Sequence, residues 1–362
     1  MKLEEVLKVP YQPVADSPTV RYYTDWKAFD PYIENPSPPL ELSWDDSLLN
    51  ALGAEPTTIL KPTPVAERPT FPRASSLRIL SFHEHNLNSL HRLLLTDASV
   101  TVLVPKPNEG ALSAHLEVQA RGHSGLRVLL LSPESSRGLV TLTLNINVAP
   151  GASLKASYVV FDSRGSPSAI FLDASLGENA SMENLIIAAR SRMLHLEAHA
   201  DLAGANSRLS TRALLASNKG SKLALVTDAE ARAPEAELDI RAVGFAGDGY
   251  IAHKGYARSR RGARGSRLRV ISRLVPLTSK AKVYASPVLE IESDEPEEAS
   301  HSVAQAPLDE DQIFYLRSRG FSYDEAVEAL VRGAYHSLVE DILGKLELKR
   351  IVDLLVEELG NN

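Results

Sequence analysis

Hydrophobic and polar residues alternate in short runs over the middle of this chain. The runs Val100–Val104, Leu139–Leu144 and Leu223–Val226 are examples, and similar runs continue to about residue 292. A period of two residues is typical of strands that bury one face and expose the other. The pattern therefore predicts a core made of many short β-strands.

Small turn residues separate these strands at a recurring interval. Gly151, Gly177 and Gly204 lie roughly 26 residues apart, and Gly220 and Gly247 are separated by a similar distance. A strand-and-turn unit repeated in this way is typical of a solenoid, in which each coil buries its inward face on its neighbours. A β-sandwich also has short strands between turns. The pattern favours a parallel β-helix and leaves the sandwich as the alternative.

The sequence before the strand region has a different character. It is rich in proline, which disfavours long helices and central strands. We predict an N-terminal arm with short helices over residues 1–98, and a strand followed by a helix over 76–95. Aromatic residues such as Tyr22, Tyr23 and Trp26 indicate that the arm packs against the rest of the protein.

Helical periodicity begins after Pro307. Ser322 followed by Glu325 has the spacing of a capping box, and an apolar helical face follows it. These features predict a β core over residues 99–306 and a small helical domain over 307–362.

Composition limits the chemistry of the chain. There are no cysteines, so disulfides and thiolate-held metals or clusters are excluded for this chain alone. The net charge of −7 is modest. No run of about 18 apolar residues is present, and the charged N-terminus is unlike a signal peptide. We expect a cytoplasmic protein without a membrane segment.

Several short segments near the C-terminus resemble a known family. They follow one another in the order His253–Ala257, Pro287–Ile291, Asp294–Glu295, Ser300–His301 and Leu308–Gly320. Together they resemble the C-terminal signature of the SufB/SufD family of the SUF iron–sulfur cluster assembly system. The likeness is strong over about 240–342. SufB-type members carry a cysteine on a late strand and a glutamate after the family histidine. This chain has neither, and is therefore similar to the SufD-like members.

The resemblance implies a mainly β fold: a right-handed parallel β-helix between an N-terminal mixed or helical arm and a small C-terminal helical domain. It also implies a non-catalytic scaffold that pairs with a SufB-type subunit, or with a second copy of itself, through the β-helix. A SufC-type ABC ATPase would dock on the C-terminal helices. The chain would bind no cofactor alone, and a nascent cluster would form at the partner interface.

The same resemblance points to individual residues. His301 matches a histidine implicated in cluster assembly, as a metal ligand or as a hydrogen-bonding residue of the subunit interface. Phe314, Tyr315, Leu316 and Arg319 are the expected contacts with the ATPase, or else residues that form the core of the helical domain.

Two other features suggest different functions. His83, His85 and His91 are metal-ligand types but lack the paired spacing of a zinc helix, so we predict that they mark the start of a surface helix. The stretch from Lys254 to Arg273 holds eight basic residues, which is one pattern of nucleic-acid binding. Acidic residues follow over 290–298. We therefore expect facing strands to pair these charges, within the chain or across a partner interface, or else a solvated face. We expect no nucleic-acid partner.

Other functional classes remain as alternatives. A stand-alone β-helix binding module would share this fold, as would a carbohydrate-active β-helix enzyme. Such an enzyme needs clustered carboxylates and aromatic sugar platforms, and the strand region has few Trp and Tyr residues. No Walker-type glycine–lysine loop is present. We expect a protein that is not an enzyme.

Overall fold

The computed structural model describes residues 2–12, 24–73 and 76–360. Tyr22 and Tyr23 lie outside these ranges. Within them the α-helices are α1 (Leu3–Val6), α2 (Asp30–Glu34), α3 (Asp46–Leu52), α4 (Leu77–Asn86), α5 (Glu310–Ser318), α6 (Tyr323–Val339) and α7 (Lys345–Gly360). A short 3-10 helix covers Trp26–Ala28.

The strands of the described residues follow each other with few interruptions. They are β1 (Leu40–Ser43), β2 (Thr58–Ile59), β3 (Ser89–Thr96), β4 (Ser99–Leu103), β5 (Lys106–Glu109), β6 (Ala111–Arg121), β7 (His123–Leu131), β8 (Leu139–Val148), β9 (Ser153–Phe161), β10 (Ser168–Leu176), β11 (Ser181–Ala189), β12 (Leu194–Leu202), β13 (Arg208–Ser217), β14 (Lys222–Ala231), β15 (Glu237–Ala246), β16 (Tyr250–Ser259), β17 (Arg267–Pro276), β18 (Lys282–Ile291) and β19 (Glu298–Gln305).

Two parallel sheets form the core. The first sheet has eight strands in the order β3-β6-β8-β10-β12-β14-β16-β18, and the second has nine in the order β2-β4-β7-β9-β11-β13-β15-β17-β19. The chain alternates between the sheets, and each strand pairs with its counterpart one coil later, as Ser168 does with Leu194. Among the described residues, the antiparallel pair is β1 with β5, in a small separate sheet. The fold is a parallel β-solenoid, which confirms the predicted β-helix and excludes the sandwich.

The recurring glycines lie where successive turns stack on each other. A Cβ atom on Gly204 would lie 2.0 Å from the backbone nitrogen of Glu178, and one on Gly177 would lie 2.8 Å from the nitrogen of Pro150. These positions leave no room for a side chain. Gly151 has a φ of +71°, in the region that favours glycine. Ser168 pairs with Leu194, 26 residues later, whereas Tyr250 pairs with Lys282, 32 residues later. The glycine spacing noted in the sequence is therefore that of the shorter coils.

Other elements cover part of each outer face of the solenoid. Helices α3, α6 and α7 pack on the second sheet, where the Tyr335 hydroxyl donates a 2.7 Å hydrogen bond to the carbonyl of Leu215. Phe29 and Phe82 of the N-terminal region pack on the first sheet, in one buried cluster with Phe171 of β10. No helix of the described ranges has the length and apolar character to cross a bilayer.

The predicted order of elements over residues 76–95 was wrong. Helix α4 comes first, and strand β3 follows it. Ile79 and Phe82 are buried on the helix, whereas β3 pairs with β6 and directs Leu95 into the core. The run Leu93–Leu95 is apolar at every position, so it fits the pattern of a buried helix and that of a strand. Pairing with β6 makes it a strand.

Candidate functional site

The last coil forms one end of the solenoid, which we call the open end and define as strands β18 and β19. These are the final strands of the two sheets, and over the described residues no further strand pairs with them. Nearly every position of β19 is exposed. A strand edge of this kind leaves backbone donors and acceptors available to another chain.

His301 lies at the mouth of the solenoid. It pairs in register with Val270 of β17, whose side chain belongs to the core. Because paired residues of neighbouring strands lie on one face of a sheet, His301 continues the inward-facing column and is exposed only because the solenoid stops there. Val303 follows on the same face, with 49% of its surface exposed. The open end thus presents an imidazole beside an apolar side chain.

A second family residue, His253, lies inside the solenoid one coil below the mouth. Its Nε2 is 2.9 Å from the Thr227 hydroxyl and its Nδ1 is 2.7 Å from that of Ser272. Burial lowers the pKa of His253 to about 4, so the ring is neutral at physiological pH. Gly255 leaves no spare room beside it, since a Cβ there would lie 2.7 Å from Val270 Cγ1. His253 therefore holds the two sheets together beneath the open end.

The C-terminal helices present a second exposed surface. On α5 only Ile313 is buried, whereas Phe314 is 73% and Tyr315 is 56% exposed. Leu316 is half-buried, and the Arg319 guanidinium lies 5.2 Å from the centre of the Tyr315 ring. Aromatic rings held in water are available for contacts with another molecule. Phe314 and Tyr315 therefore do not form the core of the helical domain, which was one of the two roles considered for them.

A groove of about 760 Å³ lies between α5 and the rest of the chain. Its apolar side chains include Leu277, Leu308, Ile313, Phe314 and Val327. Acidic residues line it as well, namely Glu310, Asp324 and Glu328. The groove beside α5 thus combines apolar side chains with three acidic residues and one arginine, Arg317.

The expected ion pairs of the basic stretch are confirmed. Arg260, which follows β16, binds Glu230 of β14 at 3.0 Å and Glu292, which follows β18, at 2.6 Å. Arg269 pairs with Glu298 at 2.6 Å on the second sheet. These arginines are balanced by acids of adjacent coils.

The predicted role of His83 was wrong. The residue belongs to the last part of α4 and is fully buried, so it does not begin a surface helix. Its Nδ1 lies 2.9 Å from the Thr141 hydroxyl and its Nε2 lies 2.8 Å from that of Thr143. Burial, with a smaller contribution from His115, lowers the pKa of His83 to about 3. Over the described ranges no group of three or more His, Asp or Glu side chains is arranged to hold a metal ion.

The structure reveals one cluster that the sequence analysis missed. His195, Glu197 and His199 alternate along β12 and share the outer face of the first sheet. Glu197 Oε1 lies 2.6 Å from His195 Nε2, and Glu197 Oε2 lies 3.1 Å from His199 Nε2. The signal was present as a His-x-Glu-x-His sequence, which was interpreted only as a strand.

The protonation of this cluster follows from its contacts. Burial disfavours the charged forms, but hydrogen bonds with Asp228 and Glu197 outweigh it and raise the pKa of His199 to about 9. Burial likewise opposes ionisation of Glu197, yet hydrogen bonds from both histidines hold its pKa well below the usual range. At neutral pH an imidazolium is therefore held between two carboxylates.

Comparison with known proteins agrees with the resemblance seen in the sequence. The family profile described as "SUF system FeS cluster assembly, SufBD core domain" matches residues 103–334. An iron–sulfur cluster assembly SufBD family protein of Mycobacterium leprae is 35% identical over 89 residues, which cover 25% of this chain and 23% of that protein. One from Mycobacterium tuberculosis is 31% identical over 115 residues, or 31% of this chain and 13% of that protein.

A further relative from Mycobacterium tuberculosis, of the same description, aligns over most of both chains. It is 24% identical over 298 residues, which cover 79% of this chain and 74% of that protein. In contrast, the chain spans less than a quarter of the length of the first two relatives.

Proposed function

Because the chain belongs to the SufBD family of iron–sulfur cluster assembly proteins, we propose that it is a non-catalytic scaffold subunit of that system. In this proposal its open end pairs with a SufB-type subunit, and its C-terminal helices dock a SufC-type ABC ATPase. The absence of cysteine and the presence of Ser302 after His301 support a SufD-like member of the family. Such a scaffold would act in the cytoplasm.

The observation that carries the proposal is the uncovered last coil. Val303 lies on the inward face of β19 yet is half exposed, and β19 offers an unpaired edge over the described residues. Exposed strand edges with apolar residues tend to pair with other chains. The end of a second solenoid would continue both sheets and bury these groups. A second copy of this chain is the alternative occupant.

An iron–sulfur cluster assembled at this junction would be cargo shared by two chains. This chain would offer the His301 imidazole, which is a suitable ligand for iron. Thiolates would come from the SufB-type partner, since this chain has no cysteine. A pair of identical copies would lack them, which favours the SufB-type partner.

Docking of the ATPase is assigned to α5 and its surroundings. The exposed rings of Phe314 and Tyr315 have the character of interface anchors, which are often aromatic and flanked by arginine. Arg319 flanks Tyr315. ATP hydrolysis would belong to the docked partner, because this sequence has no Walker-type loop.

Co-purification with SufB-type and SufC-type partners tests both surfaces separately. Val303→Arg places a charge at the open end and should abolish binding of the SufB-type subunit while the ATPase remains bound. Phe314→Ala combined with Tyr315→Ala should abolish binding of the ATPase while the SufB-type subunit remains bound. Leu94→Arg is the matched control, because Leu94 is 60% exposed on β3 at the other end of the first sheet. It should leave both partners bound.

The outcomes distinguish the alternatives. If the unaltered chain binds neither partner, the scaffold proposal is wrong and a stand-alone binding module becomes the better interpretation. If light scattering shows a dimer of the chain that Val303→Arg dissociates, the open end pairs with a second copy. Turnover of a polysaccharide by the isolated chain would instead support the enzyme alternative.

A further inference from the structure

The outer face of the first sheet carries two rows of polar side chains that cross several coils. We call the first the His–Glu row. It begins at Thr24, whose hydroxyl lies 2.9 Å from Nδ1 of His195. His195 and His199 contact the two oxygens of Glu197 as described above. Nδ1 of His199 then lies 3.4 Å from Asp228 Oδ2 on the next strand, β14.

The His–Glu row continues to the last coil. Arg258 of β16 pairs with Asp228 on one side. On the other side its Nε lies 2.8 Å from Glu290 Oε2 on β18. Each internal member of the row has a partner on both sides, so the row is continuous from Thr24 to Glu290. It spans three strand spacings, or about 14 Å.

The second row, which we call the Arg–acid row, runs beside the first. Arg73 contacts Asp201 at 2.9 Å, and Asp201 contacts Arg232 at 3.2 Å. Arg232 lies 2.8 Å from Glu230. Arg260 then joins Glu230 to Glu292, as described for the basic stretch. The row therefore leads from Arg73 to the residue that follows β18.

Both rows connect the same two parts of the molecule. One end of each lies in the N-terminal segment, which we define as residues 24–34 and 70–73. The other end lies at the open end. The N-terminal segment is not connected to β18 by sequence, and the rows join the two across β12, β14 and β16.

The two rows differ in their exposure to water. Glu197 is fully buried, and the side chains of Asp228 and Arg258 are only 16% and 17% exposed. Arg232 and Glu292 of the Arg–acid row are half exposed. Water screens exposed charges strongly and buried charges weakly. The His–Glu row is therefore the better coupled of the two.

We propose that these rows couple the packing of the N-terminal segment on the first sheet to the conformation of β18 in the last coil. Loss of the Glu290 charge leaves Arg258 with Asp228 as its remaining acidic partner. Asp228 then interacts less with His199, which weakens the set of contacts that ends at Thr24. Since coupling between two sites is reciprocal, a change at Thr24 also alters β18.

Hydrogen–deuterium exchange of the full chain tests the coupling. Glu290→Gln should accelerate amide exchange in residues 24–34 by about 5-fold or more, the lower end of typical coupling between sites. Glu292→Gln should accelerate exchange in residues 70–73, where the Arg–acid row ends, but by a smaller factor, because that row is more exposed. Conversely, Thr24→Val should accelerate exchange in β18.

Glu298→Gln is the matched control. Glu298 belongs to the same coil as Glu290 and has a similar exposure, 41% against 43%, but its arginine partner lies on the second sheet. It should leave residues 24–34 unchanged. The proposal is overturned if Glu290→Gln accelerates exchange only in β16 and β18. It is also overturned if Glu298→Gln accelerates exchange in the N-terminal segment equally, because the effect would then be a general loss of stability.

Discussion

The charged state of His199 predicts a stability that declines in alkaline solution. Its pKa rises from 6.5 to about 9 in the folded chain. A raised pKa means that folding favours the protonated ring, so the stabilisation is complete below about pH 6.5 and is lost between pH 6.5 and pH 9. The shift corresponds to about 3 kcal/mol, at 1.36 kcal/mol for each pKa unit.

Trp26 provides a local measurement, because its ring lies 4.7 Å from that of His195. Trp44→Phe removes the other tryptophan of the chain, so that fluorescence reports on Trp26 alone. In this background the free energy of unfolding in urea should be about 3 kcal/mol lower at pH 9.5 than at pH 6. His199→Gln should remove most of this dependence, since glutamine does not titrate. His123→Gln, at an exposed histidine, should keep it. Equal pH dependence in the His199→Gln variant and the unaltered chain would refute the reasoning.

Three further predictions concern the solenoid. Gly204→Ala should lower the free energy of unfolding in urea by about 2 kcal/mol or more, because its Cβ meets the backbone of Glu178. Gly151→Ala has open space around it and should lower that free energy by only about 1 kcal/mol, through backbone strain. Equal losses would contradict the stacked turns. Tyr335→Phe removes the hydroxyl that donates to the Leu215 carbonyl, and should lower the free energy of unfolding by about 1–3 kcal/mol. An unchanged thermal midpoint would show that this hydrogen bond contributes little to stability. Gly255→Val should overpack the core against Val270 and lower the free energy of unfolding by about 1–3 kcal/mol. An unchanged free energy of unfolding would show spare room beneath the open end.

The main architecture could be predicted because local signals repeat along the chain. Alternating apolar positions predicted the strands. The recurring glycines predicted the repeat, because stacked turns exclude a side chain at Gly177 and Gly204 and a positive φ favours glycine at position 151. The family profile over 103–334 confirms the resemblance that was based on short segments near the C-terminus. These signals each involve residues close in sequence or one coil apart.

The remaining features depend on contacts between distant parts of the chain. The order of α4 and β3 is decided by burial on the first sheet and pairing with β6, which the leucine run does not reveal. The His195–Glu197–His199 cluster depends on Asp228 and Thr24, which lie far away in sequence. Likewise, helical periodicity placed α5 but did not show that Phe314 and Tyr315 face outward.

Site-specific photo-cross-linking tests the central claim most directly. A photoreactive amino acid would replace Val303 at the open end or Leu94 at the opposite end, in the chain mixed with its SufB-type and SufC-type partners. The account predicts a cross-link from position 303 to the SufB-type subunit and none from position 94. No cross-link from position 303, or equal cross-linking from both positions, would contradict a scaffold that pairs through its last coil.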